Sequence, residues 1–144
     1  NVMNTMQKGF TLIELMITIA IVGILTSIAM VTYTNYTKKT MVSIGLSEIS
    51  SLKAEYEMTV NENYSNLGSL SNIQLSSSKY CTLEVNAPDA TTQIAEKALV
   101  CHLKKTELFG LNAMVYLSRN TKAQYNCYTK NIDQKFLPKN CFPE

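Results

Sequence analysis

From Phe10 to Val31 the chain is apolar except for one ionisable side chain, Glu14, four residues past Phe10. As a helix this run would extend about 33 Å at 1.5 Å per residue, which matches a bilayer core of about 30 Å. It is long enough to cross. An acid inside such a segment is costly, so it usually marks a function with a partner.

A cut between Gly9 and Phe10 supplies one. Phe10 would then carry a free α-amino group, and residues i and i+4 share a helix face, so Glu14 would pair with its own terminus or a neighbour's. The stretch Lys8-Gly9-Phe10-Thr11-Leu12-Ile13-Glu14 resembles the type IV prepilin signal of the class IVa kind, and the run to Ile28 is similar to that family nearly residue for residue. The resemblance implies that prepilin peptidase, an aspartyl peptidase, cleaves after Gly9 and methylates the amine of Phe10. It also implies that Glu14 helps each new subunit dock onto a growing filament. On this reading residues 1–9 are a leader, and the chain is the substrate of an enzyme with no catalysis of its own.

Two other readings compete. Ser27-Ile28-Ala29 has the small-x-small form of a secretory cleavage site, but the apolar run exceeds the roughly 7 to 15 residues of a signal h-region and holds an acid. A plain single-span anchor would tolerate Glu14 near its end, yet leaves Gly9-Phe10 unexplained. The start Asn1-Val2-Met3 is unusual, and Met3 and Met6 both stand as candidate initiators.

Beyond a spanning segment, about 110 residues remain, enough for one modest core. The net charge of +2 demands no polyanionic partner, and 17% charged residues describe neither a nucleic-acid tail nor a disordered chain. Cys81, Cys101, Cys127 and Cys141 all follow the apolar run, even in number and far apart, which reads as two disulfides formed in an oxidising compartment. No pair has the short spacing of a structural zinc site, and His102 is the only histidine, so no metal or other cofactor is expected. Lys8 on one side and Lys38 with Lys39 on the other leave the positive-inside rule mildly favouring the opposite orientation. The disulfides and the leader resemblance place the N-terminus in the cytoplasm and the cysteine-bearing domain in the periplasm. The precursor is then expected in the bacterial inner membrane, with lipid and the assembly machinery as partners, and the product in an extracellular pilus.

From residue 32 to 61 there is no proline, and Met41, Ile44, Ile49, Leu52, Tyr56 and Val60 form an apolar stripe at helical spacing. This predicts one continuous helix of about fifty residues, 10–31 in lipid and 32–61 packed on a domain. Lys38, Lys39, Lys53, Glu55 and Glu57 are read as its solvated face. Ala20, Gly23 and Ser27 form a small-residue surface that allows close helix approach in an apolar medium. Residues 62–79, rich in Asn and Ser, read as a connecting loop.

Four β-like runs follow in 80–144: Tyr80 to Val85, Lys97 to Lys104, Asn112 to Ser118, and Ala123 to Lys130, with Arg119 to Lys122 as a hairpin connection. A hairpin about the loop from Asn86 to Glu96 makes residues whose numbers sum to about 182 face each other. That puts Cys81 opposite Cys101 and leaves Cys127 to pair with Cys141, each bond worth about 3 kcal/mol through the unfolded chain. His102 would then face the other side of the sheet. The end of the chain, through Cys127 to Leu137-Pro138-Lys139-Asn140-Cys141, is also similar to class IVa pilins, where the last strand leads into a disulfide-closed loop. The expected fold is therefore α+β and pilin-like: a long N-terminal helix, membrane-spanning in its first half, on a four-stranded antiparallel sheet. One departure is Val31, where major subunits of that family often carry proline, so major and minor subunit both stay open.

The first functional expectation is a structural subunit that forms a helical homo-polymer, as in motility, adhesion or competence pili. The second is a minor subunit acting as a DNA-uptake receptor. Lys130, Lys135 and Lys139 with Phe136 lie within the loop closed by Cys127 and Cys141, a mixture suited to phosphate contact and base stacking, while the competing reading is a solvated loop. A type II secretion pseudopilin is the third, opposed by the two disulfides and by the lack of an Asp-rich calcium loop. No enzyme motif is present: no Gly-rich phosphate loop, no G-x-S-x-G, no metal pair.

Overall fold

A computed structural model describes residues 9–62 and 78–144. The expected leader, apart from Gly9, and residues 63–77 of the expected connecting loop lie outside the described residues. The chain divides into two compact units, Asn1–Asn35 and Tyr36–Glu144.

Helix α1 covers Leu12–Ser51 and α2 covers Lys53–Glu62. The expected single helix is thus nearly continuous, with one irregular turn at Leu52. Its cause is local: the Ser51 hydroxyl donates to the Glu48 carbonyl at 2.7 Å, and the Leu52 N–H bonds back three residues to Ile49 at 3.3 Å. Serine hydroxyls compete with the helix ladder in this way. The regular pattern resumes when the Tyr56 N–H reaches the Leu52 carbonyl at 2.9 Å.

The sheet has five strands in the order β1 Cys81–Val85, β2 Ala95–Leu103, β3 Met114–Arg119, β4 Tyr125–Lys130 and β5 Cys141–Pro143. The first four are antiparallel, as their alternation predicts, but β5 adds parallel to β4, which corrects the expected count of four. Three residues ending in proline carry no periodicity that a sequence could display. A four-residue helix α3, Thr106–Phe109, lies between β2 and β3, and a 3₁₀ turn, Gln134–Phe136, lies between β4 and β5.

One face of the sheet packs against the helical segment from Met41 to Val60. Val42, Ile49, Tyr56 and Val60 share a core with Leu99, Cys101, Val115, Leu117 and Cys127. Each such aliphatic side chain contributes about 1.5 to 3 kcal/mol on leaving water. The buried stripe passes through Val42 and Gly45 rather than Ile44, which is only half-buried. Gly45 is there because the approach is close: a Cβ on it would lie 2.8 Å from Cys101 Sγ, 3.2 Å from Val115 Cγ1 and 3.3 Å from Cys81 Sγ.

The β1–β2 register is offset from the expected one. Cys81 faces Leu103, and Cys101 faces Leu83, so the two cysteines are diagonal neighbours on the same face. Because the offset is two residues, no side chain changes face. Cys81–Cys101 is bonded with Cα atoms 5.1 Å apart, and Cys127–Cys141, directly opposite across β4 and β5, with Cα atoms 4.5 Å apart.

Glu57, read from sequence as solvated, turns inward. Its carboxylate receives Arg119 Nε at 2.7 Å and Nη2 at 3.0 Å, and Tyr125 Oη at 2.5 Å. Arg119, only 4% exposed, also donates Nη1 to the Gln93 carbonyl at 2.6 Å. These bonds hold the Glu57 carboxyl below the ordinary carboxylate range, with the Arg119 contact the largest cause. Burial pushes the neighbouring Tyr56 phenol up to about 12, and that hydroxyl donates to the Asn86 carbonyl at 2.8 Å. The network ties α2 to β3, β4 and the β1–β2 loop.

Candidate functional site

The chemistry proposed from sequence begins at Gly9-Phe10. Both residues are exposed, Phe10 at 84%, and the helix starts just after them at Leu12. Thr11 is its N-cap. The Glu14 N–H donates to Thr11 Oγ1 at 3.3 Å, and Glu14 Oε2 accepts the Thr11 N–H at 2.9 Å and its hydroxyl at 2.8 Å. This reciprocal arrangement is a capping box, Thr-x-x-Glu, which satisfies donors that a helix start leaves open. With the peptide bond before Phe10 intact, Glu14 is therefore engaged by its own cap rather than by an amine. Sequence reasoning passed over Thr11, although the spacing was legible.

From Gly9 to Tyr33 every residue of this unit is exposed, around the whole circumference of the helix. A helix apolar on all sides needs an apolar surrounding, either lipid or other helices. It is the one helix among the described residues long and apolar enough to cross a membrane. Its polar side chains suit that setting. Thr18, Thr26, Ser27 and Thr32 donate their hydroxyls to the carbonyls of Glu14, Val22, Ile24 and Ile28 at 2.7 to 3.1 Å. No hydroxyl among these four is left to be solvated inside hydrocarbon. Nothing meets a Cβ built on Gly23, so its small surface is open to a second helix.

The second candidate region is the loop closed by Cys127–Cys141. Here the residues expected to contact DNA do not form a basic stacking platform. Phe136 is 5% exposed, its ring covered by Lys38 Nζ at 5.3 Å and Lys135 Nζ at 4.9 Å from the centroid. Lys130 is 3.3 Å from Glu144, and Lys135 is 3.8 Å from Asp133. Lys139 is exposed. His102 pairs with Glu84 at 2.7 Å on the face away from the helix, as its strand position predicts.

That outer face holds a feature the sequence reading missed. Tyr116, Tyr128 and Phe142 lie in register across β3, β4 and β5, with ring centroids 5.7 and 6.3 Å apart. Glu144 bridges Lys97 at 3.4 Å and Lys130 at 3.3 Å beside them. The tyrosines form part of a shallow cleft of about 430 Å³ that also includes Ile94, Ser118 and Pro143. Alternate positions in successive strands would have signalled the row, had the register been known.

Residues 4–30 match the prokaryotic N-terminal methylation motif, and residues 39–142 match the family described as pilin (bacterial filament). The chain is 32% identical to the type IV major fimbrial protein FimA of Dichelobacter nodosus over 157 aligned positions, covering 96% of this chain and 99% of that protein. It is 31% identical to a fimbrial protein of Neisseria meningitidis over 163 positions, covering 96% of each. A fimbrial protein of Pseudomonas aeruginosa is 54% identical over 56 positions, and that match spans 39% of this chain and only 36% of the relative.

Proposed function

We propose, from the premise that this chain belongs to the type IV pilin family, that it is the structural subunit of a pilus, cleaved after Gly9, N-methylated at Phe10 and polymerised through its N-terminal helix. The observation that carries the reading is a helix start exposed on every side, with Glu14 one turn beyond the cleavage point. Before assembly the apolar segment lies in the inner membrane with the cysteine-bearing domain in the periplasm. Assembly moves it from lipid into a core of like helices, where its backbone and hydroxyls need no new partners.

Cleavage changes what Glu14 meets. Removing residues 1–9 leaves Phe10 with a cationic methylated amine, and the Glu14 carboxylate, already oriented by Thr11, then pairs with the amine of an adjacent subunit. Opposite charges gain most in an apolar surrounding, so the pair forms in the filament core more strongly than at a wet surface. The acid partners of Lys130 and Lys135 and the covered Phe136 ring support a solvated loop over a DNA receptor.

The test is Glu14→Ala in an assembling strain. Cleavage and methylation, read by mass spectrometry of the N-terminal peptide, should persist, while the yield of sheared filaments collapses. Wild-type filament yield from that variant would refute the pairing, and an uncut or differently cut N-terminus in the native protein would refute the function itself.

A further inference from the structure

The two disulfides differ in what covers them. Cys81 and Cys101 are 1% and 0% exposed, and Gly45 of α1 lies directly over both sulfurs. Val42 and Ile49, each 0% exposed, flank that contact within the same core. Cys127 and Cys141, at 7% and 9%, join β4 to the three-residue edge strand β5 at the margin of the sheet. Thiol–disulfide exchange needs a thiolate to approach one sulfur of the bond along its axis, so access decides the rate. With the helix seated, no protein or small thiol reaches the first bond.

We infer that the Cys81–Cys101 bond is made before the helix seats on the sheet, so that the subunit competent for packing is the product of a prior dithiol oxidation by a disulfide-bearing oxidant, a thiol–disulfide oxidoreductase or oxidised glutathione. In that step the thiolate of one cysteine attacks the oxidant's disulfide, forming a mixed disulfide and releasing one oxidant thiolate. The second cysteine's thiolate attacks the protein sulfur of the mixed disulfide, closes Cys81–Cys101 and expels the other oxidant thiolate. Two electrons pass to the oxidant, and the two cysteine protons go to its thiolates. The hairpin β1–β2 suffices as the substrate, because its register alone makes the two cysteines diagonal neighbours. Seating of Val42, Gly45 and Ile49 then seals the product. The Cys127–Cys141 bond has no such order imposed on it, since release of β5 alone uncovers it.

Reduction of the intact chain in mild detergent tests this without any variant. The oxidised protein is exposed to dithiothreitol for graded times, alkylated, and each bond quantified by peptide mass spectrometry, in zero and in sub-denaturing urea. Cys127–Cys141 is expected to open at least tenfold faster than Cys81–Cys101 without urea, and the rate for Cys81–Cys101 to rise steeply with urea because it waits on a larger opening. A ratio below ten, or a Cys81–Cys101 rate that does not respond to urea, overturns the inference. Refolding of the reduced chain with oxidised glutathione gives an independent check. Species holding only Cys127–Cys141 should lack the native near-ultraviolet tyrosine signal, and a native signal in them overturns the proposed order.

Discussion

The seat of Gly45 on a disulfide makes Gly45→Ala a sharp prediction, because two physical effects of opposite sign meet there. In an exposed helix, alanine in place of glycine stabilises by about 0.8 to 1 kcal/mol. Here the new methyl would lie 2.8 Å from Cys101 Sγ and 3.2 Å from Val115 Cγ1, well inside van der Waals contact. Neither neighbour can yield cheaply, since Cys101 is bonded to Cys81 within the sheet and Val115 is a β-branched side chain of a central strand. The helix must lift by several tenths of an ångström, which loosens Val42 and Ile49 as well. Overpacking of this kind costs about 1 to 3 kcal/mol, and gaps opened in a dense core add to it. The net expectation is a loss of about 1 to 2 kcal/mol, read as a lower midpoint at unchanged slope in urea unfolding of the detergent-solubilised chain. The same substitution in a Cys81→Ala, Cys101→Ala background removes the sulfur contacts and leaves only the one to Val115, and there the penalty should shrink markedly. A Gly45→Ala protein at least as stable as wild type, or a penalty unchanged by removing the sulfurs, would refute the close-approach argument.

Other outcomes follow from the same geometry. Glu57→Ala strands the buried Arg119 guanidinium and should cost about 3 kcal/mol, measured by urea midpoint. Because the folded Glu57 carboxyl is held below its ordinary range, its share of stability is present above the unfolded carboxylate value of about 4.3 and disappears as pH falls through the folded value. Glu57→Gln should flatten that acid limb of a thermal-melt series, and an unchanged limb would exclude this residue as its source. Ala123 holds φ at 57° in the β3–β4 turn, where the Ala123 N–H bonds to the Asn120 carbonyl at 3.1 Å. Ala123→Gly should therefore raise stability by about 0.5 to 1 kcal/mol, and a lower midpoint would show that the turn is not strained.

The sequence carries local order better than it carries distant pairing. Helical spacing located the packed helix to within a residue or two of its end, and alternation located four strands, since both depend on periodicity. It mistook Ile44 for a core residue because Gly45, which occupies the true stripe, has no side chain to count. Leu52 looks like any stripe position, and the irregular turn there depends on the Ser51 hydroxyl choosing a backbone acceptor. Glu57 and Arg119 are 62 residues apart, so no window could reveal that a nominally solvated acid neutralises a strand arginine. The hairpin sum recovered the face of each residue but not its opposite number, because the length of the turn was unknown. At the helix start, the Thr-x-x-Glu spacing is local and legible, but Glu14 fits a terminal amine at the same spacing, and the sequence alone does not rank the two partners.

The parallel clasp of β5 onto β4 gives the segment between Cys127 and Cys141 the character of a cassette. Both of its ends are fixed by backbone ladder and covalent bond, so lengthening it leaves the sheet's hydrogen bonds intact, and doubling a flexible loop costs only about 0.6 kcal/mol. A short foreign peptide spliced between Ile132 and Asp133, past the core-packed Ile132 and ahead of the anchored Phe136, should be displayed with the domain still folded, and recovery of the tag on intact oxidised protein would measure that tolerance.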